Sequence, residues 1–111
     1  MKAEDRNRRI AKNEALFREV NERLRDLNAS LGSGNGSFEL LCECGDDRCF
    51  TKLEVSTTEY ERVRGDATQF LVKPGHELVD LEEVVSRAND YWIVRKRAEA
   101  AEVAEQHDPR A

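Results

Sequence analysis

Apolar residues recur at Ile10, Phe17, Val20, Leu24, Leu27 and Leu31, in alternating steps of three and four after Phe17, with polar residues between them. That spacing lines up one side of a helix and predicts a long amphipathic helix from about Glu4 to Leu31. Asn13 holds the heptad position between Ile10 and Phe17, where a polar residue can fix the register of paired helices. The stripe has two uses. It can pack on the domain's own sheet, or it can associate with a second copy or a different protein, since a helix of this length overhangs a small domain.

Beyond the helix, the period of the pattern changes. Gly32-Ser33-Gly34-Asn35-Gly36-Ser37 reads as a flexible linker over residues 32–37, lacking the lysine and following helix of a phosphate-binding loop. Phe38, Leu40, Cys42 and Cys44 then alternate with other residues, which predicts a strand from Phe38 through Cys44. A turn at Gly45-Asp46-Asp47-Arg48 leads to a second strand from Phe50 to Val55, closing a hairpin. Ser56 and Glu59 form a capping box for a short helix from Thr57 to about Gly65, with Tyr60 and Val63 on its apolar side. Gln69 to Lys73 reads as a strand stopped by Pro74-Gly75, and Leu81 to Arg87 and Tyr91 to Lys96 as paired strands. Ala98 to Glu105 favours helix, and residues 107–111 are expected to fray. The predicted class is α+β: a long N-terminal helix over 1–31, a core over 38–97 with a small, mainly antiparallel sheet, and a short helix and tail over 98–111.

Composition narrows the setting. With 111 residues, 39% hydrophobic and 37% charged, the chain can build only a small core, which is where a structural metal contributes most. The net charge of -5 argues against general nucleic-acid binding. Residues 1–31 nevertheless carry eight Lys/Arg against six Asp/Glu, and Arg6, Arg8, Arg9 and Lys12 form a local basic cluster. No apolar run is long enough to span a bilayer, and the start has no apolar core of a secretory signal, so a reducing cytoplasm is the expected compartment.

In that compartment clustered cysteines read as metal ligands rather than disulfides. All three lie between Cys42 and Cys49, and His76 follows a Pro-Gly turn. Cys42 and Cys44 share a strand face because side chains alternate with period two, and the hairpin turn returns Cys49 to them. Cys42, Cys44, Cys49 and His76 therefore make a candidate tetrahedral Cys3His site, with Zn2+ favoured by the ligand set. Asp46 or His107 can also stand as fourth ligand at this level, and the cysteines can equally be ordinary buried side chains. Glu43, Asp46 and Asp47 lack the spacing of a calcium loop. A closed four-ligand site is structural, because catalysis needs an open position. A Cys49–His76 nucleophilic pair has no third orienting group in the pattern, so the chain is expected not to be an enzyme.

The blocks Phe38 to Cys49, Glu59-Tyr60-Glu61-Arg62-Val63-Arg64, Phe70 to Glu77 and Asp108-Pro109-Arg110 in combination resemble a group of small bacterial proteins. Those proteins carry Cys-x-Cys, Glu-Tyr-Glu-x-Val-Arg and Pro-Gly-His in this order. The likeness spans most of the chain after about Asn13. It implies a shared fold in which the cysteines and histidine act as a unit, and it brings no activity with it. The combined expectation is a non-enzymatic, zinc-stabilised binding or regulatory module working through protein association. A DNA-associated regulator and a thiol-based redox or metal sensor are the alternatives.

Overall fold

The computed structural model describes residues 3–30 and 36–110. Most of the expected linker, residues 32–35, lies outside the described residues, as do Met1, Lys2, Leu31 and Ala111. Helix α1 (Ala3–Ser30) is followed by strands β1 (Ser37–Leu41) and β2 (Lys52–Ser56) and by helix α2 (Thr57–Arg64). Strands β3 (Gln69–Val72), β4 (Glu82–Arg87) and β5 (Trp92–Lys96) and helix α3 (Ala98–Gln106) complete the chain. The class is α+β, as the pattern predicts. The antiparallel structure is divided into two sheets, a hairpin β1-β2 and a three-stranded sheet in the order β3-β5-β4.

Local rules account for the elements. In the hairpin Phe38 faces Val55 and Leu40 faces Leu53, so both strands turn alternate apolar side chains to one buried side. The capping box forms: the Ser56 hydroxyl accepts from the Glu59 backbone N–H at 3.1 Å, and α2 buries Tyr60 and Val63. Central strand β5 is paired on both edges and buries the consecutive Ile93 and Val94. A bulge between Val84 and Ser86 bends edge strand β4 and leaves Val85 outside.

Helix α1 is about 42 Å long at 1.5 Å per residue and runs most of the 46 Å length of the molecule. Its apolar stripe meets the domain's own sheet only in part. Phe17 is buried, Ile10, Val20 and Leu24 are half-buried, and Leu27 and Leu16 are each 56% exposed. The positions that face the core most fully include Glu14, Arg18 and Asn21, which apolar periodicity cannot register. Each one has a partner on the sheets. The Asn21 carboxamide accepts from the Leu41 N–H at 2.8 Å and donates to the Leu41 carbonyl at 2.9 Å, closing the open end of β1 as another strand would. Arg18 donates to the Ala67 and Gln69 carbonyls, both at 2.8 Å, and lies flat on the Phe70 ring 3.7 Å from its centroid. Glu14 pairs with Lys96.

The tail is held as well. Asp108 pairs with the buried Arg64, which also meets Glu22 at 3.2 Å. Arg110 bridges Glu22 and Glu61. The expectation of fraying from residue 107 rested on composition, which does not register an ion-pair cage closed by residues of α1 and α2.

Candidate metal centre

The hairpin that carries the three thiols grows from β1. The regular strand stops at Leu41 rather than Cys44, although Cys42 N–H still bonds the Thr51 carbonyl at 2.9 Å. The next amide leaves the hairpin and joins the other sheet: Glu43 N–H donates to the Leu71 carbonyl at 2.8 Å, and the Glu43 carboxylate accepts the Leu71 N–H at 3.0 Å. Asn21 donates to the second Glu43 oxygen at 2.8 Å. This buried carboxylate therefore joins α1 to both sheets, and strand alternation leaves its neighbours Cys42 and Cys44 on the opposite side.

Gly45, with φ +82, turns the chain, and its carbonyl is held by the Asn13 carboxamide at 2.9 Å. Asp46 accepts the Arg48 N–H on its side chain at 2.9 Å and the Cys49 N–H on its backbone at 3.0 Å, which brings Cys49 back. His76 is delivered by a separate turn. Lys73-Pro74-Gly75-His76 has proline second, a glycine with φ +90 third, and a 2.9 Å bond from His76 N–H to the Lys73 carbonyl, the signature of a type II turn. The same turn sends the Lys73 N–H to the Cys42 sulfur at 3.1 Å.

The structure thus brings Cys42, Cys44, Cys49 and His76 together, with one ligand atom from each lying within 4.8 Å of every other. His76 Nδ1 is 3.7 Å from Cys42 Sγ and 3.6 Å from Cys49 Sγ. A tetrahedron with metal–sulfur bonds of about 2.3 Å and a metal–nitrogen bond of about 2.0 Å has sulfur–nitrogen edges of about 3.5 Å. The four atoms can hold a metal ion at that separation. All three thiols are buried, and His76 is half-buried. The alternative fourth ligands do not join the group: the Asp46 carboxylate accepts the Arg48 N–H in the hairpin turn, and His107 lies at the end of α3.

The protonation pattern of the cluster reflects the crowding. A hydrogen bond from Cys42 lowers the Cys44 thiol to about 5, against the opposing effect of burial and with help from the Asp46 N–H. The Cys42 thiol, which gives that hydrogen bond and is buried, is pushed well above the ordinary range. One thiolate is therefore stabilised among neighbours that must lose protons for a cation to bind all four ligands.

Sequence reasoning missed the supports. Asn13 holds Gly45 rather than setting the register of paired helices, and Glu43, for which the pattern offers no role, is 1% exposed. The alternation itself held a signal, because a carboxylate between two inward thiols must face the other side of a thin sheet and needs a buried donor there. Gly45 is a second such support. A Cβ at this position would lie 2.7 Å from the Ile10 side chain and 3.1 Å from that of Glu14. Gly45→Ala should cost about 2–3 kcal/mol, from the left-handed backbone and this contact together. Urea denaturation measures it, and a loss below about 0.5 kcal/mol would contradict the packing of α1 on the turn.

The chain matches no protein-family model, no curated protein and no solved structure.

Proposed function

We propose that this protein is a non-enzymatic, zinc-stabilised binding module in which Cys42, Cys44, Cys49 and His76 hold one Zn2+ and the long helix offers an association surface. The observation that carries the reading is the Cys3His constellation, in which the Cys42 and Cys49 sulfurs stand from His76 Nδ1 at separations suited to a tetrahedral metal site. Three thiolates and an imidazole fill the coordination shell, so the metal works as a staple. The staple's position fits that role. Its thiols come from the hairpin sheet and its imidazole from the loop after β3, so the ion ties together two sheets that the hydrogen-bond ladders leave separate.

The outward side of α1 supports the association reading, since Leu16 and Leu27 stay exposed while Glu14, Phe17, Arg18 and Asn21 are covered. The basic start of the helix gives less support to DNA contact, because Arg6 pairs with Asp80 and Arg8 with Asp5. Among the described residues no helix is long and apolar enough to cross a membrane.

Elemental analysis of protein purified without added metal should give about one zinc per chain. Serine at any single one of the three cysteines should reduce it well below half. Full zinc content in all three serine variants would remove this reading. Light scattering at rising concentration tests association separately. A monomer that stays monomeric and is unaffected by Leu16→Glu and Leu27→Glu would exclude self-pairing through this face.

A further inference from the structure

Away from the thiol cluster, α1, α3 and the end of β5 enclose a cavity of about 430 Å3. Its size falls in the roughly 300–1,000 Å3 range of small-molecule sites. Much of the wall is made of short side chains, Ala11 and Ala15 on α1 and Ala100 and Ala104 on α3, which is why two helices lying side by side leave a space. Phe70, Leu81 and Val103 add apolar surface. A polar group is set into this wall. Arg18 is 1% exposed, and although one of its terminal nitrogens holds the Ala67 and Gln69 carbonyls, its Nε has no partner. A buried guanidinium N–H left without an acceptor is costly, and a ligand oxygen would relieve that cost.

The other charges at the cavity largely cancel, with Lys96 shared between Glu14 and Glu82 and Arg8 paired with Asp5. Glu14 is held by Lys96 and Asp80 by Arg6, so Glu99 at the rim is the remaining carboxylate. Arg97, also at the rim, makes no ion pair among the described residues. Next to it Ala98 adopts φ +43, a conformation that alanine rarely takes, where the chain passes from β5 into α3 beside the cavity.

We propose that the cavity between α1 and α3 is a binding site for a small monocarboxylate with an apolar body, its carboxylate accepting from Arg18 Nε and its chain lying against the alanines and Phe70. The apolar part replaces water along Ala11, Ala15, Ala100 and Ala104, and the charged end is selected by a donor already desolvated in the folded protein. This site is separate from the metal ligands, but α1 links the two. Ile10 and Glu14 line the cavity and are also the side chains closest to Gly45 in the metal-binding turn.

Calorimetric titration of the full chain, as purified, with decanoate, decanol and decylammonium tests the site. Decanoate should bind saturably at one per chain, with decanol at least about tenfold weaker, the ratio expected for one charge-assisted hydrogen bond, and decylammonium weaker still. Ala11→Phe and Ala100→Phe, which fill the space from opposite helices, should each weaken decanoate by about tenfold or more. Amide shifts induced by decanoate in the unaltered chain should centre on Ala11, Ala15, Leu81 and Val103, which places the site even if both filled variants misfold. Absence of saturable decanoate binding, equal binding of the three probes, or shifts centred elsewhere would each overturn the proposal.

Discussion

Cys49→Ser should lower the melting temperature of protein supplied with zinc by more than about 10 °C, because on the proposed reading it opens the coordination shell of an ion that links the two sheets. A ligand present at a thousand times its dissociation constant stabilises the folded state by about 4 kcal/mol, and structural zinc with three thiolates reaches that regime easily. For a domain near this size each kcal/mol is worth about 4–8 °C, so losing even 2–3 kcal/mol produces the expected shift. Cys49 is the informative thiol to alter. Its sulfur meets Thr51 Oγ1 at 3.6 Å, whereas Cys42 also accepts the Lys73 N–H and its loss would disturb the turn that carries His76. Serine is close to cysteine in size, so little of the effect would come from packing. A strong chelator added to the unaltered protein should reproduce most of the drop, and adding it to the Cys49→Ser variant should change little further. If Cys49→Ser melts with the parent, or the chelator leaves the parent unmoved, the ion is not what joins the sheets.

The four candidate ligands were legible because each rule that positions them is local. Alternation puts Cys42 and Cys44 on one face, a turn returns Cys49, and Pro74-Gly75 presents His76. The same locality made the capping box at Ser56 and the pairing of β4 with β5 readable. What the sequence did not disclose is long-range and polar. The side of α1 that enters the core is marked by Glu14, Arg18 and Asn21 beside Phe17, and apolar periodicity is blind to such positions. Their partners lie far along the chain, Lys96 for Glu14, the Ala67 and Gln69 carbonyls for Arg18, Glu43 and Leu41 for Asn21. The division into two sheets was hidden for a related reason. A strand's neighbours depend on where the chain returns, and Glu43 switches partners from the hairpin to Leu71 within one residue. A core too small to be wholly apolar is completed here by satisfied polar contacts and, on the proposed reading, by one ion. The tail's Asp108 and Arg110 belong to the same economy, anchoring by charge what composition marks as loose.

Lys96→Ala should destabilise the protein by about 3–5 kcal/mol near neutral pH, the cost of removing one partner from a buried ion-pair cluster. Lys96 is 4% exposed and stands between two buried carboxylates, Glu82 at 2.7 Å and Glu14. Without its ammonium the two acids face each other with no compensating charge. Burial already raises the Glu14 pKa from 4.5 to about 7 with the lysine in place. Because the folded value lies above the unfolded one, the folded chain holds a proton between about 4.5 and about 7 that the unfolded chain has released. The stability from Glu14 is thus fully present below about 4.5 and is lost as pH rises through about 7. Removing the cation raises that upper limit further, since Lys96 is the main influence lowering the Glu14 pKa. The variant should therefore regain stability on acidification from about pH 8 to about pH 6 more steeply than the parent. Lys96→Met separates charge from volume: it fills the space of the stem and should show the same pH slope with a smaller total loss. Urea midpoints at the two pH values, with zinc in excess, measure both quantities. A loss below about 1 kcal/mol with a slope equal to the parent's would mean that Glu14 and Glu82 find other compensation, and that the buried cluster does not hold α1 to the three-stranded sheet.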